Sequence, residues 1–234
     1  QKELDGILTK HKLFADQKQG GERAKLSMFD LSYLDMSGRN LWQADLTGAL
    51  LCHCSLEEAN FKDAILFAAD MRFANMTEAN FDRADLRGTC MAGANMTEAS
   101  LIDADMRDGV LMKSLSKGGD LAPIVHDEAT AGLERAVARG ANMQGAKVSD
   151  SMIVQTDLTD CNLKNAKFIR ANLSLTNLTG CNLEGADFRD ADLRDANLSG
   201  SLLIDCDFRG ADMRGTKFNN TDKRGARGLP IEDD

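Results

Sequence analysis

Every fifth residue from Leu26 to Leu111 is Leu, Met or Phe, and the series restarts at Met143 and runs to Phe218 with Leu, Met, Phe, Val and Ile. Two residues before most of these positions stands a small one, such as Ala44, Ala59, Ala74, Ala94, Ala166 or Ala191. Asp or Asn often lies between, as in Ala44-Asp45-Leu46, Ala79-Asn80-Phe81 and Ala186-Asp187-Phe188. A period of five fits neither regular element. On an α-helix a fifth residue lies about 140° around the axis, so no stripe forms. On a strand an odd spacing sends successive Leu side chains to opposite faces. The pattern becomes coherent if the chain bends once per repeat. The small residue and the large one then point to the same side, and the corner after them resets the phase. A chain that bends the same way every five residues coils on itself. It fills its interior with the large apolar residues and stacks coil on coil as a solenoid.

Segments such as Ala69-Asp70-Met71-Arg72-Phe73, Ala84-Asp85-Leu86-Arg87-Gly88 and Ala196-Asn197-Leu198-Ser199-Gly200 resemble the A-(D/N)-L-x-x units of pentapeptide-repeat proteins. The resemblance implies an all-β fold, a right-handed four-sided parallel β-helix in which four repeats make one coil of twenty residues. It is expected here with a short N-terminal helical cap and a helix-containing insertion.

Two segments break the repeat. In residues 1–22, Leu4, Ile7, Leu8 and His11 recur at helical spacing before Gln19-Gly20-Gly21 stops them. A solenoid end exposes strand edge and apolar interior, so this segment is read as a cap. The second break follows Leu111, which stands 32 residues before Met143 and so out of register with it. Ser114 to Asp120 is polar and Gly-rich, a loop. Val125, Ala129, Leu133, Ala136 and Val137 suggest one face of a short helix, with Arg135 and Arg139 near its C-terminal end. The expected organisation is therefore a cap over 1–22, a first repeat block over 23–112, a loop and helix over 113–140, a second block over 141–220 and a tail over 221–234. One nearly continuous solenoid is favoured over two half-solenoids.

Composition narrows the chemistry. With 28 basic against 37 acidic residues the net charge is −9, which argues against direct nucleic-acid binding. No apolar run approaches a membrane span. Cys54, Cys161, Cys181 and Cys206 sit at the small inward position and are read as buried thiols, with a Cys161–Cys181 disulfide as the alternative. Thiols suit a cytoplasmic location. Cys52-His53-Cys54 invites a metal, but alternation turns Cys54 inward and the other two outward, and no second ligand pair is visible. His11 has no catalytic company in sequence. Nucleophile elbows, phosphate loops, dinucleotide fingerprints and zinc-protease motifs are missing, so no catalytic, cofactor or metal residue is expected.

The outer positions are more telling. Asp35, Glu57, Glu58, Glu78 and Glu98 surround the centres Met36, Leu56, Met76 and Met96 without a Lys or Arg among them, and Glu58, Glu78 and Glu98 should stack. In the second block Arg189 and Arg209 run beside Asp187 and Asp207 as self-neutralising pairs. Leu50, Ile65, Phe67 and Phe73 are apolar residues at outward positions, a candidate contact patch for the 112–140 segment or for a second subunit. The first functional reading is a non-enzymatic scaffold that meets a protein partner with a basic surface, as a monomer or weak homodimer. The alternative comes from the resemblance. Some pentapeptide-repeat proteins imitate DNA and bind DNA gyrase as acidic rods joined through an apolar C-terminal helix. The tail here carries Lys223, Arg224, Arg227, Glu232, Asp233 and Asp234, with only Leu229 and Ile231 large and apolar, so that role stands second.

Overall fold

The computed structural model describes residues 2–109, 112–114, 121–123 and 132–229. Leu111, most of the expected loop and residues 230–234 lie outside them. The body is a coil whose backbone pairs with itself in parallel every twenty residues. Four columns of bridges run along it. One contains Lys25, Asp45, Ile65, Asp85, Asp105, Lys147, Lys167, Asp187, Asp207 and Arg227, ten stacked positions and hence nine turns. At about 4.8 Å per turn the stack is about 43 Å long.

Each repeat makes one extended pair of bonds and one turn. Leu26 N donates to Asp45 O, and Asp45 N donates back to Ala24 O. The turn closes where Phe29 N donates to Leu26 O. Its corner, two residues after each central Leu, Met or Phe, lies in the left-handed region: Met28, Tyr33, Gln43, His53 and Glu58 have φ of 63°, 65°, 58°, 57° and 57°. This corner is what makes a five-residue period possible.

The central residues from Leu26 to Met106 are buried, as are the Ala residues two before them from Ala44 onward. The interior is regular enough for rings to stack: Phe61 on Phe81 at 4.9 Å, and Phe168, Phe188 and Phe208 at 5.0 Å. Where a polar residue replaces the inward Ala, it bonds a central carbonyl of the coil before. Thr176 Oγ1 donates to Ile153 O at 2.6 Å and Ser201 Oγ to Leu178 O at 2.6 Å. The inward cysteines do the same, Cys54 toward Leu31 O and Cys181 toward Leu158 O, both at 2.9 Å. All six cysteines are free thiols. Burial pushes the Cys206 thiol up to about 12.

The structure corrects the part of the expected helix that it describes, from residue 132 onward, while Val125 and Ala129 lie outside the described residues. The bridges Cys90–Gly132, Asn95–Val137, Ser100–Asn142 and Asp105–Lys147 span 42 residues instead of twenty, so 22 residues are inserted into one turn of a single uninterrupted coil. Residues 132–140 are not helical. They are repeats of the coil, with Leu133, Ala136 and Ala138 buried and Arg135 at a corner with φ 56°. Ala138 stands at a central position where Leu is usual and so hides the register of Leu133, Ala138 and Met143. Within the insertion, β1 (Met112–Ser114) pairs antiparallel with β2 (Leu121–Pro123). The expected tail is corrected as well. Asp222 and Arg227 bridge Leu202 and Asp207, so the coil continues past 220.

The two ends differ. At the start, α1 (Lys2–Ala15) lays Leu4, Ile7 and Leu8 against the first coil, whose Leu26, Leu31, Met36 and Leu41 are buried. At the other end Ala211, Met213, Phe218 and Ala226 are only partly buried.

Candidate functional site

The corner geometry decides what the outside can present. A corner residue points away from the core, and its equivalent twenty residues later stands directly above it. Four corners therefore carry four ladders. The face centred on Met36, Leu56, Met76 and Met96 is bordered by two of them.

On one border Glu58, Glu78 and Glu98 stack as expected, with φ of 57°, 57° and 58°, all exposed. Gly38 lies below them and Gly140 above, the latter so placed that a side chain would stand 3.5 Å from Glu98 Cγ. Glu57 and Asp35 are exposed on the face itself. Among the described residues none of the four Glu has an ion-pair partner within 4.0 Å. Arg139, whose carbonyl accepts from Glu98 N, turns its guanidinium to Asp157 at 2.6 Å. Asp35 accepts from Ser37 N at 3.0 Å, and this backbone hydrogen bond holds its carboxyl below the usual range.

The opposite border carries a feature that inspection by chemistry alone passes over. Tyr33, His53 and Phe73 occupy one corner in successive coils. Their rings stack at 5.0 Å, with interplanar angles of 7° and 16°. Tyr33 is 76% and Phe73 57% exposed. The twenty-residue spacing of 33, 53 and 73 was the available signal. The ladder ends at Gly93, where a Cβ would stand 2.6 Å from the Phe73 ring, so only glycine lets the ring lie there.

The four expected apolar residues do not form one uniform patch. Leu50 and Phe73 belong to one repeat column and its corner, Ile65 and Phe67 to the neighbouring column. Leu50, Ile65 and Phe67 are half-buried. Phe67 is covered by Gly109, at the start of the insertion, and by the Arg87 guanidinium 5.4 Å from its centroid. Of the 112–140 segment expected to pack on this patch, residues 132–140 instead continue the coil beside Cys90 and Asn95, and residues 115–120 and 124–131 lie outside those described.

The Cys52-His53-Cys54 side chains diverge. Cys54 is inside, His53 sits in the aromatic stack, and Cys52 is half-buried with its thiol pushed up to about 12, mainly by burial. His11 is buried beside the first coil. Its Nδ1 accepts from Ala24 N at 3.0 Å, and Nε2 has no hydrogen-bond partner. Burial, then Arg23, pushes its pKa down. Among the described residues no cluster of His, Cys, Asp and Glu has the makings of a metal site.

The repeat that builds these ladders is also what identifies the chain. Residues 44–83, 79–114, 156–195 and 191–226, more than half of the sequence, match the model for pentapeptide repeats. The chain belongs to the pentapeptide repeat family. Solved pentapeptide repeat proteins align with it over most of its length. HetL, involved in heterocyst differentiation regulation in the cyanobacterium Nostoc sp. strain PCC 7120, is 24% identical over 92% of this chain and 93% of its own, with a TM-score of 0.32. QnrB1, a plasmid-mediated fluoroquinolone resistance protein, is 19% identical over 82% and 94%, with a TM-score of 0.39. A protein of the Arabidopsis thaliana thylakoid lumen is 24% identical over 71% and 69%, with a TM-score of 0.21. Scores this low transfer no function, and the assignment rests on the repeat itself. No individually curated protein matches the sequence significantly. As a pentapeptide repeat protein the chain is a repeat scaffold. No helix among its described residues is long and apolar enough to cross a membrane.

Proposed function

We propose that this pentapeptide repeat protein is a non-enzymatic scaffold that binds a protein partner bearing a basic surface. The observation that carries the reading is the uncompensated row Glu58, Glu78 and Glu98, with Glu57 and Asp35 beside it. Along the second block many of the outer Asp carboxylates are neutralised locally. Arg189, Arg194, Arg209 and Arg214 each fork onto the Asp two residues before, with Nη2 to Oδ2 distances of 2.7, 2.6, 2.6 and 2.5 Å. Like charges about 4.8 Å apart repel, and folding gains nothing from them. The solid interior leaves the exterior to act, and it acts by presenting ladders. Six free thiols support a reducing compartment such as the cytoplasm. A monomer or weak homodimer accords with a scaffold whose working surface is its side.

A row of evenly spaced carboxylates on a rod also supports the second reading, imitation of DNA toward an enzyme such as DNA gyrase. One experiment addresses both. The variant with Glu57, Glu58, Glu78 and Glu98 all changed to Gln is compared with the parent in capture of basic partners and in a gyrase supercoiling assay. Salt-sensitive capture that the variant loses supports the scaffold. Inhibition of supercoiling that the variant loses supports DNA imitation. A variant that loses neither overturns both.

A further inference from the structure

The two ladders are the two rims of one face, and most of the floor between them is already satisfied. Thr77 Oγ1 donates to Asn75 Oδ1 at 2.7 Å, Asn95 Nδ2 to Thr77 Oγ1 at 3.0 Å, and Thr97 Oγ1 to Asn95 Oδ1 at 2.7 Å. Ser37 and Ser55 share a hydrogen bond at 2.7 Å. Apart from Glu57, whose exposed carboxylate adds to the acidic side, the floor is small and occupied with itself. The rims are not. Rung by rung, His53 stands across from Glu58 and Phe73 across from Glu78. One rim offers exposed aromatic surface and the other offers carboxylates.

We propose that this face docks an amphipathic basic α-helix, lying along the solenoid axis with an apolar stripe on Tyr33, His53 and Phe73 and a Lys or Arg stripe on Glu58, Glu78 and Glu98. The inference rests on the scaffold reading and names its partner. Charge complementarity selects a basic stripe. Stacked rings leave their edges exposed, so the aromatic rim offers apolar contact area, suited to Leu-like side chains and to the stems of Lys and Arg. Spacing selects a helix over a strand. The rungs lie at about 0, 4.8 and 9.6 Å along the axis. Helix positions i, i+3 and i+7 rise to about 4.5 and 10.5 Å, within about 1 Å of each rung. Same-side residues of a strand advance about 6.8 Å each and miss the third rung by about 4 Å. Width agrees as well: three extended residue steps across the floor span about 10 Å, the diameter of a helix.

The test uses the full chain and a dye-labelled twenty-residue peptide. It carries Lys at i, i+3 and i+7 beside a Leu stripe, and a control peptide of identical composition has the two stripes scrambled. Fluorescence anisotropy measures binding to the parent, to Tyr33→Ala/Phe73→Ala and to Glu58→Gln/Glu78→Gln/Glu98→Gln. Both rims are exposed, so the variants should melt with the parent, checked by circular dichroism. The expected result is at least tenfold weaker binding for the scrambled peptide and for each rim variant. If the scrambled peptide binds equally and only the Gln variant loses affinity, the helix inference is overturned while the acidic scaffold stands. If no variant changes binding, both fall. If sedimentation shows the parent self-associating through these rims, the occupant is a second copy and the inference is likewise overturned.

Discussion

The face centred on Met36 to Met96 continues up the solenoid around Ala138, Leu158, Leu178 and Leu198, and its two stretches share a floor but not rims. Thr159 donates to Asp157 at 2.5 Å and Thr179 to Asn177 at 2.6 Å, repeating the bonds of Thr77 and Thr97. In the upper stretch several corners close on themselves, although Leu175 stays 51% exposed. Arg135 donates to Gln155 at 3.0 Å, where the lower stretch has aromatic rings. Asp160 lays its carboxylate over Gly180, where the lower stretch stacks Glu on Glu. The interior and the floor are what the coil requires of every repeat. The corners are required only to accept a positive φ, and there the two stretches part. Function is therefore to be sought in the departure of one stretch from the other.

The strongest challenge to that division is to the shared interior. Leu56 and Leu198 occupy equivalent buried positions, as centres of this face in its two stretches. Replacing either with Ala should cost about 2–5 kcal/mol, and the two losses should agree within about 1 kcal/mol. Chemical denaturation measures both. A much smaller loss in one region would mean that its coils pack differently, and the comparison of outer surfaces would lose its common frame.

Corners come next. Gly38 and Gly180 both lie on the border that carries the Glu ladder, with φ of 62° and 72°. Around Gly38 no atom lies within 4 Å of a would-be Cβ, whereas Asp160 Oδ1 fills that space at Gly180. Gly38→Ala should cost about 1 kcal/mol, the left-handed conformation alone. Gly180→Ala should cost roughly 2–3 kcal/mol, because the Asp160 carboxylate must also move. Adding Asp160→Ala to Gly180→Ala should recover the difference. Equal losses at the two glycines would remove the claim that the upper rim is closed by its own side chains.

A third effect separates the start of the solenoid from the rest by pH. His11 keeps its pKa below the ordinary value in the folded chain, by burial and by Arg23, while the unfolded chain holds it near 6.5. The unfolded state therefore binds the extra proton first as pH falls below about 6.5, and stability drops from there until the folded pKa is passed. Protonation also places a hydrogen on Nδ1, which now accepts from Ala24 N. The Asp–Arg forks respond later. Hydrogen bonds from Arg209 and Arg214 hold Asp207 and Asp212 down to about 2, so their contribution is present above about 4 and fades toward 2. Hydrogen exchange at pH 5.5 should show α1 opening before the coils do. His11→Leu should abolish that first step, and a step that persists in the variant belongs to another group.

How much of this was legible in sequence follows the same division. The coil, its interior and the forks of Arg189 and Arg209 onto Asp187 and Asp207 were readable because each is fixed by spacing within a repeat. The Glu ladder was readable because one residue type recurs at twenty. The Tyr33, His53 and Phe73 ladder was missed because three different residue types share one register, so grouping by chemistry scattered them. Residues 132–140 were misread for a related reason. Ala138 at a central position broke the Leu series, and Leu133, Ala136 and Val137 then mimicked helical spacing.

The smallest expected effect is the one that bears most on function. Changing Glu58, Glu78 and Glu98 to Gln removes like charges that face one another and have no ion-pair partner among the described residues. Removing them should leave the melting temperature unchanged or raise it slightly, by no more than the 0–1 kcal/mol typical of exposed charges. The matching changes in the upper region, Arg209→Gln and Arg214→Gln, break exposed forks and should lower stability by a similarly small amount. Opposite signs of two small shifts are the prediction, and differential scanning calorimetry at low salt resolves them, since screening shrinks both. A loss of stability in the Glu variant would mean that the ladder serves the fold. The lower rim would then be one more structural device, like the upper one, and the case for a partner there would have to rest on the aromatic rim alone.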